Sequence, residues 1–240
     1  MRVLDLFAGT GSATVDFREA GHDVVRVEMD RRFEAEIYAD VVDFAQGDPP
    51  GAFDFVWASP PCTSFSVGSF RHHWHATTFC ETCGAKMRRN RGERWWHAYR
   101  PDCAKVRPGS LSYEPKTATA EEGLTMLEAT LVVVAKVRPR WWVIENPRGL
   151  MRKMPELAHV ECRTITHCQY GDPRRMKPTD LFGVFPAGFE ARSCRNGDPC
   201  HVAAPRGART GTQGLSGIES AMLPPLLGRE LLRAMEADDD

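Results

Sequence analysis

The stretch that decides the fold is residues 2–12, Arg-Val-Leu-Asp-Leu-Phe-Ala-Gly-Thr-Gly-Ser. Its first half, Arg2–Ala8, is a short apolar run with one embedded acid, and it predicts a buried β-strand. Its second half carries Gly9 and Gly11, and glycines let a backbone turn tightly from a strand into a helix and approach a ligand closely. The stretch therefore predicts a strand, a ligand-binding loop and a helix.

The same alternation continues along the chain. Further strands are predicted at Asp23–Glu28, Phe53–Trp57, Arg140–Glu145 and Glu161–His167, and helices at 12–20, Arg31–Tyr38, Ala118–Val137 and from Pro224 or Pro225 to Ala237. Strands that alternate with helices predict an α/β fold with a doubly wound, mostly parallel sheet. Ligands of such sheets bind beyond the carboxyl ends of the strands. We therefore expect the functional site in the loops after Ala8, Ala58 and Ile144.

Length and composition limit the class of protein. The chain has 240 residues, of which 42% are hydrophobic and 26% charged, as in one globular domain with room for a small insert. No apolar run approaches the roughly 20 residues that span a bilayer, and the N-terminus does not resemble a signal peptide. We therefore expect a cytoplasmic protein without a membrane segment. Eight cysteines in such a chain are expected to be reduced, which favours metal binding or catalysis over disulfides.

Two loops carry reactive side chains. In Ser59-Pro60-Pro61-Cys62, two prolines stiffen the backbone and hold the thiol of Cys62 at the ligand edge of the sheet. The alternative is a buried structural thiol. Glu145 ends an apolar strand, so partial desolvation should raise its pKa and leave a protonated acid that can donate to the ring nitrogen of a base. The alternative for Glu145 is a helix-capping or salt-bridged acid.

Two further acids suit a nucleoside ligand. Glu28 ends the second strand, where a carboxylate can bind ribose hydroxyls. Asp43 is a candidate contact for an adenine amino group. The alternative for both is an exposed loop carboxylate. The first loop lacks the Lys-Ser/Thr ending of a P-loop, which argues against ATP.

Together these motifs resemble the DNA cytosine-5 methyltransferase family. The matching segments, in the family's order, are Asp-Leu-Phe-Ala-Gly-Thr-Gly-Ser (5–12), Pro-Pro-Cys (60–62), Glu-Asn-Pro (145–147), residues 169–175 and the terminal helix after Met222-Leu223-Pro224. The resemblance covers residues 1–69, 118–184 and 218–236. The compact chain is similar to the small enzymes that phages and prophages encode.

The resemblance implies a Rossmann-like, S-adenosylmethionine-dependent methyltransferase fold, and methyl transfer to carbon 5 of cytosine in double-stranded DNA. Cys62 would attack C6 of a flipped base, and Glu145 would hold and protonate N3. The resemblance places S-adenosylmethionine against Phe7, Gly9, Gly11, Ser12, Glu28, Met29, Asp43 and Pro60, and the base against Pro61, Asn146 and Pro147. Residues 63–70 would form a loop that closes over the base.

The chain departs from the family in two places. The family usually carries Gln-x-Arg-x-Arg where this chain has Arg-Arg-Met-Lys-Pro-Thr (174–179). Arg175 is our candidate for the arginine that contacts the cytosine carbonyl and supports the nucleophile, and Lys177 is the alternative. The large recognition domain of the family is also missing, since residues 185–217 are too few to replace it. We therefore expect a very short recognition site, such as a dinucleotide.

Residues 70–110 interrupt the regular pattern and are predicted to form an insert. Between Lys86 and Arg107 lie eight basic residues and only two acids, interleaved with Trp95, Trp96 and Tyr99. Such a segment suits a DNA phosphate backbone, although a solvated loop is the alternative. The predicted catalytic domain comprises 1–69, 111–184 and 218–240, and 185–217 is predicted to be irregular.

Two groups of cysteine and histidine are candidate zinc ligands. Cys80, Cys83, His97 and Cys103 have the spacing of a zinc knuckle, with His75 as a competing ligand, and zinc would staple an insert that has little apolar content. Cys168, Cys194, Cys200 and His201 form a second possible set, with less diagnostic spacing. The alternatives are a disordered loop with reactive thiols in the first case, and buried thiols with an exposed histidine in the second.

Other functions remain open from sequence. One rival is a catalytically silent zinc protein that binds DNA on a methyltransferase fold, and another is an RNA cytosine-5 methyltransferase. Amino-group methyltransferases rank lower, because they use Asn/Asp-Pro-Pro-aromatic where this chain has Ser59-Pro60-Pro61-Cys62. We expect a monomer. Anti-restriction, partnership with a nuclease and genome-wide modification all fit the sequence.

Overall fold

The computed structural model describes residues 1–49, 51–89, 95–97, 103, 110–204 and 215–239. In chain order the strands are β1 (Arg2–Leu6), β2 (Asp23–Glu28), β3 (Ile37–Tyr38), β4 (Phe55–Ala58), β5 (Trp74–Thr77), β6 (Arg88–Arg89), β7 (Trp95–Trp96), β8 (Ser112–Pro115), β9 (Trp141–Pro147), β10 (Glu161–Thr166) and β11 (Pro178–Val184). The helices are α1 (Val15–Glu19), α2 (Val41–Gln46), α3 (Phe70–His73), α4 (Ala118–Val137), α5 (Gly217–Ala221) and α6 (Leu227–Asp239).

Seven strands form one sheet in the order β10-β11-β9-β4-β1-β2-β3. From β3 to β9 all neighbours are parallel, whereas β11 is antiparallel to both β9 and β10. Leu6 lies opposite Ala58, and Ala58 lies opposite Ile144, so three loops leave the same edge side by side. The predicted α/β fold with a mostly parallel sheet is confirmed.

Both faces of the sheet are buried, as a parallel sheet requires. Successive residues of β1 and β4 alternate between two cores. One core contains Leu4, Leu6, Val56 and Ile144 with Leu127 and Val133 of α4. The other contains Val3, Phe55 and Trp57 with Phe17 of α1 and Leu227 and Leu231 of α6. The near-continuous apolar strands of the sequence follow from this two-sided burial.

Helix α4 has the bounds that the sequence predicts, Ala118–Val137. The Thr117 side chain accepts a hydrogen bond from the Ala120 amide and so caps its first turn. Its buried residues extend from Ala120 to Val133, more than three turns of the helix, and Ala120, Leu127 and Val133 pack in the core on one face of the sheet. Arg138 ends the helix in the left-handed conformation.

The helix predicted over Arg31–Tyr38 is wrong. The segment is a turn followed by the short strand β3. Glu36 explains the difference, because its carboxylate accepts from the Arg26 amide at 2.8 Å and from the Arg26 guanidinium at 3.0 Å. These bonds to β2 hold the segment extended along the sheet edge.

Strand β11 is an element that we did not predict from sequence. It lies between β9 and β10, and Gly183 faces Trp142 of β9 so closely that a Cβ atom would stand 1.9 Å from the Trp142 carbonyl oxygen. No other residue fits there without a shift of the backbone. The antiparallel pairing brings residues 177–179 beside the end of β9.

The described part of the segment 70–110 contains α3, β5 and the pair β6–β7. Strand β5 pairs with β8, which joins the segment to the start of α4. Trp74 anchors it, because the buried indole donates to the Ser64 carbonyl oxygen at 3.0 Å. Most of the basic residues that we predict to contact DNA, and Tyr99, lie outside the described residues. The boundaries of the insert remain a prediction.

Within the described residues, no helix combines the length and apolar character needed to cross a bilayer.

Candidate active site

Hydrogen bonds join the three loops at the carboxyl edge of the sheet. The Ser59 amide donates to the Leu6 carbonyl oxygen at 3.1 Å. The Asn146 side chain donates from Nδ2 to the Pro60 carbonyl oxygen at 3.0 Å, and this bond is buried. The loop that carries Cys62 is thereby fixed to the end of β9. The structure thus brings together the loops that carry the predicted nucleophile, the predicted acid and the predicted cofactor site.

Cys62 is partly exposed, at the start of a tight turn. The amides of Phe65 and Ser66 both donate to the Cys62 carbonyl oxygen at 3.0 Å. The turn then rests on residues 149–150, since the Leu150 amide donates to the Phe65 carbonyl oxygen at 2.7 Å. A Cβ atom on Gly149 would stand 2.2 Å from that same oxygen. The glycine therefore permits the close approach that supports the Cys62 loop.

Glu145 is 6% exposed at the end of β9. Burial raises the pKa of its carboxyl above the ordinary range, against the opposing effects of the Lys177 charge and a hydrogen bond with the Ser59 side chain. Among the described residues, Oε1 has no hydrogen-bond partner. A buried carboxyl with a raised pKa and an uncommitted oxygen can hold a proton for a ligand.

Asn146 is 1% exposed, and its Oδ1 likewise has no hydrogen-bond partner among the described residues. Asp180 of β11 lies opposite Asn146 in the sheet. The carboxylate of Asp180 is buried and bonded to Arg152 and Thr164, at 2.9 Å from Arg152 Nε and 2.8 Å from Thr164 Oγ1. These bonds fix the position of Asp180 beside the end of β9.

The surroundings of Cys62 shift the pKa of its thiol upward. Burial and the Glu145 charge raise its pKa, whereas the Lys177 charge lowers it. Lys177 is the nearby cation that acts on both Cys62 and Glu145. A nucleophilic thiolate at this position therefore depends on positive charge.

The two candidates for the missing arginine lie in different surroundings. Arg175 is 1% exposed and bonded to Asp172 at 2.6 Å and to the carbonyl oxygens of Glu219 and Met222 at 2.8 and 3.0 Å. Lys177 is 6% exposed, and burial lowers the pKa of its ammonium. The structure brings the charge of Lys177 to the predicted catalytic pair and commits the guanidinium of Arg175 to protein groups.

The glycine-rich loop has an unusual backbone. Phe7, Gly9 and Gly11 all have positive φ, at 57°, 50° and 71°. Glu28 fixes the loop, because its carboxylate accepts from the Gly9 amide and from the Asp30 amide, each at 2.8 Å. The backbone therefore presents its polar groups beside an acid, as the predicted nucleoside site requires.

The other predicted cofactor residues are spread around this loop. The Ser12 hydroxyl oxygen accepts from the Leu223 amide at 3.1 Å. Met29 is exposed just after β2, and Asp43 is exposed in the first turn of α2. Pro60 is buried and Pro61 exposed beside Cys62, and Pro147 is half-buried at the end of β9. Their roles remain predictions.

Sequence reasoning missed Asp5, which lies in β1 directly below the glycine-rich loop. It is fully buried, and burial raises its pKa to about 7. Thr14 Oγ1 donates to its Oδ2 at 2.7 Å, and among the described residues Oδ1 has no hydrogen-bond partner. The feature of the sequence that could have identified Asp5 is its position as an acid inside the apolar run Arg2–Ala8.

The first predicted zinc set is assembled in space. The donor atoms of Cys80, Cys83, His97 and Cys103 all lie within 4.8 Å of one another. Cys80 Sγ is 3.7 Å from Cys103 Sγ, and His97 Nε2 is 3.6 Å from Cys83 Sγ and 3.4 Å from Cys103 Sγ. Tetrahedral zinc with cysteine and histidine ligands separates its donors by about 3.3–3.8 Å, so these four fit the metal. The competing ligand His75 is exposed on β5, opposite Glu114.

The second set is assembled in the same way, from Cys168, Cys194, Cys200 and His201. Cys194 Sγ is 3.2 Å from Cys168 Sγ, and His201 Nδ1 is 3.6 Å from Cys194 Sγ and 3.4 Å from Cys200 Sγ. The donor set and its spacing again suit zinc. This cluster ties the segment after β11 to the end of β10.

Comparison with known proteins agrees with the motifs. The chain is 26% identical over 250 residues to a protein of Frog virus 3 named "Probable DNA (cytosine-5)-methyltransferase", an alignment that covers 97% of this chain and 99% of the viral one. No family model matches the chain. The resemblance to the DNA cytosine-5 methyltransferases that the motifs predict is confirmed by this similarity.

Solved structures also match. One is a DNA modification methyltransferase encoded within a prophage of E. coli, with a TM-score of 0.43 and 16% identity over 77% of this chain and 46% of the other. Another is the Dnmt2 methyltransferase of S. pombe, with a TM-score of 0.41 and 14% identity over 80% of this chain and 52% of the other. The chain spans about half the length of these solved structures.

Proposed function

We propose that this chain is a DNA cytosine-5 methyltransferase, which transfers a methyl group from S-adenosylmethionine to carbon 5 of cytosine through a covalent adduct with Cys62. The observation that carries the proposal is the meeting of a thiol, a buried acid of raised pKa and a buried lysine beside a glycine-rich loop. The similarity to the viral methyltransferase over nearly the whole chain supports it.

The loop after β1 fits S-adenosylmethionine. Its left-handed residues expose backbone groups, and Glu28 at the end of the adjacent strand offers carboxylate oxygens to ribose hydroxyls. Phe7 is half-buried in this loop, and Met29 is exposed directly after Glu28, so both can offer apolar surface to a ligand. When bound, S-adenosylmethionine supplies an electrophilic methyl group.

The residues of this chain make carbon 5 of cytosine nucleophilic. Cys62 first loses its thiol proton to solvent. Sγ of the thiolate then bonds to C6, and the electron pair of the C5–C6 double bond moves through the ring as Glu145 gives its proton to N3. Carbon 5 of the resulting enamine can then bond to a methyl group. Loss of the C5 proton to a base and cleavage of the S–C6 bond return the thiolate of Cys62.

The substrate is double-stranded DNA with the target base flipped out of the helix, because C5 and C6 of a stacked cytosine are not open to both a thiol and a methyl donor. Glu145 Oε1 and Asn146 Oδ1, which have no hydrogen-bond partner within the described part of the chain, can bond to the edge of such a base. The short segment 185–217 leaves little protein for sequence reading, so we propose a very short recognition site. A methylation map with one long specific motif would refute that part.

Zinc is the proposed occupant of both cysteine clusters. Each offers three thiols and one histidine within bonding distance of a single ion. Zinc at these sites is structural, since all four positions are filled by protein. It holds together segments that have few apolar residues.

The test is covalent trapping. The purified chain is incubated with S-adenosylmethionine and duplex DNA that contains 5-fluorocytosine, which lacks the removable C5 proton. We expect an adduct that survives denaturing electrophoresis, absent in Cys62→Ser and at least 100-fold slower to form in Glu145→Gln. Cys162→Ser is the matched control, because Cys162 lies in β10, outside the site.

A wild-type chain that binds the DNA but forms no adduct would support the catalytically silent protein instead. Trapping on RNA in preference to DNA would support the RNA enzyme. Bisulfite sequencing of DNA from cells that express the chain then identifies the target sites.

A further inference from the structure

A short segment at the edge of the site, Ser216–Leu223, connects several parts of the molecule, and we call it the hook. It contains α5, whose first turn is fixed by a capping box between Ser216 and Glu219. Its carbonyl groups accept hydrogen bonds from Arg175 and Lys177. Its last amide, from Leu223, donates to Ser12 in the cofactor loop. The hook therefore touches both halves of the proposed active site.

Arg175 is committed to the hook. Nε donates to Asp172 Oδ2 at 2.6 Å, while Nη1 and Nη2 donate to the carbonyl oxygens of Glu219 and Met222. Each nitrogen thus has a protein partner, and the Asp172 carboxylate balances the charge. If Arg175 moved toward a base, it would break its hydrogen bonds to Asp172, Glu219 and Met222. Breaking a buried hydrogen bond without replacing it destabilises the folded chain.

Lys177 is placed differently. Pro178, the next residue, begins β11 and accepts from the Arg148 amide at 2.9 Å, so Lys177 emerges beside the end of β9. Its ammonium donates to the Ser220 carbonyl oxygen at 2.7 Å. An ammonium has three donors, so this bond anchors the group and commits one of the three. The φ of Lys177 is +29°, a conformation that its surroundings must impose.

The charges around Lys177 are unequal. The Lys177 ammonium is attracted by the negative charges of Glu145, Cys62 and Asp172, and it is repelled by the charge of Arg175. Cys62 in turn is acted on by Glu145 and Lys177. In a buried pocket such interactions are stronger than in water. Arg148 and Leu150, which follow β9, donate their amides to the Pro178 and Phe65 carbonyl oxygens at 2.9 and 2.7 Å, so one short segment holds both Lys177 and the Cys62 loop. Lys177 is therefore the counter-charge to a thiolate that Glu145 disfavours.

We propose that Lys177, held by the hook through Ser220, is the cation that stabilises the thiolate of Cys62, and that Arg175 serves to build the hook. Lys177 is thus a positioning residue that acts through Cys62. Its importance for methyl transfer rests on the proposed function, but its effect on the thiol requires neither DNA nor cofactor. Arginine at 175 and lysine at 177 consequently have separate tasks.

The test measures the reactivity of Cys62 directly. The full chain is treated with iodoacetamide between pH 6 and 10, and labelling of the peptide that contains Cys62 is followed by mass spectrometry. In Lys177→Gln the amide can still donate to the Ser220 carbonyl oxygen, but the charge is gone. The midpoint of labelling is the pH at which Cys62 reacts at half its maximal rate. We expect this midpoint to rise by about one pH unit in Lys177→Gln, so that labelling at pH 8 slows about tenfold.

Three further variants make the result specific. Lys177→Arg keeps the charge and should label within about threefold of wild type. Lys153→Met removes an exposed lysine and should not change the midpoint. Lys177→Met provides a second uncharged side chain in case Lys177→Gln fails to fold, which circular dichroism will show. An unchanged midpoint in a folded, uncharged variant would overturn the proposal.

A methyl-transfer assay, combined with the labelling experiment, distinguishes failure of this inference from failure of the proposed function. If both hold, Lys177→Gln lowers kcat and moves its alkaline rise to higher pH, with KM for DNA nearly unchanged. If the wild-type chain does not methylate DNA but Lys177 still shifts the labelling midpoint, the proposed function fails and the inference stands. If methylation proceeds and the midpoint does not move, the inference alone fails.

Discussion

Asp5 is a buried acid below the cofactor loop, and its environment makes stability depend on pH. Its pKa is raised to about 7 mainly by burial, with nearby Glu28 and Glu36 adding to the rise, while Thr14 and Arg26 oppose it. An aspartate in the unfolded chain has a pKa near 3.9, so the unfolded state loses its proton first as pH rises. The stability that a protonated Asp5 gives is therefore complete below about pH 4 and is lost as pH rises to about 7.

We predict that Asp5→Asn reduces this dependence. The amide oxygen of asparagine can still accept from Thr14, but it carries no charge at any pH. The free energy of unfolding of the wild-type chain should fall relative to that of the variant between pH 4 and 7, by at most about 4 kcal/mol. Urea unfolding at pH 5 and pH 8 measures the difference. The control is Asp48→Asn at an exposed position, where a similar change would contradict our explanation.

At the scale of elements, the turn after Cys62 depends on the chain that follows β9. Ser66 pairs with Gly149 in an isolated bridge, and the Phe65 carbonyl oxygen would lie 2.2 Å from a Cβ atom at 149. The contact is backbone against backbone, so neither side can give way by rotating a side chain. The position of the Cys62 loop is thus set by a glycine far away in sequence.

We predict that Gly149→Ala destabilises the chain by about 1–3 kcal/mol, as overpacking commonly does, and slows adduct formation by displacing the Cys62 loop. Gly68→Ala is the matched control in the same loop, because a Cβ atom there meets nothing within 4 Å. Urea unfolding and the trapping assay provide the two measurements. Equal stability of the two variants would show that the close contact is not maintained in solution.

At the scale of the whole molecule, the two cysteine clusters secure segments outside the apolar cores. The first lies between β5 and β8, and the second joins the segment after β11 to the end of β10. Because the second cluster begins at Cys168, it also borders the connection that carries Arg175 and Lys177. Metal at that cluster would therefore also stabilise the connection that carries Arg175 and Lys177.

We predict about two zinc ions per purified chain, measured by elemental analysis. Cys83→Ser and Cys194→Ser should each lose one ion, because each removes one ligand from one cluster. Cys162→Ser should keep both, since that thiol belongs to neither cluster. A chain that is folded and active with no bound zinc would remove both proposed sites.

The sequence by itself determined the parallel sheet, the long helix α4 and the identity of the reactive loops. These are local signals, because apolar strands, Thr117 as a cap and proline or glycine at strand ends act over a few residues. It also named both cysteine clusters, since few residue types bind zinc. The sequence-based prediction failed for Arg31–Tyr38, because hydrogen bonds between Glu36 and Arg26 of the preceding strand override the local preference for a helix.

Only the tertiary structure decided how the two cationic side chains at 175 and 177 are held. Arg175 and Lys177 are two residues apart, and nothing in their spacing divides the roles between them: both donate to the hook, but the Arg175 guanidinium is also ion-paired with Asp172. That division depends on β11 pairing with β9 and on α5, about forty residues later, supplying the carbonyl oxygens. Electrostatic roles depend on burial and on through-space distance, and these are properties of the folded chain.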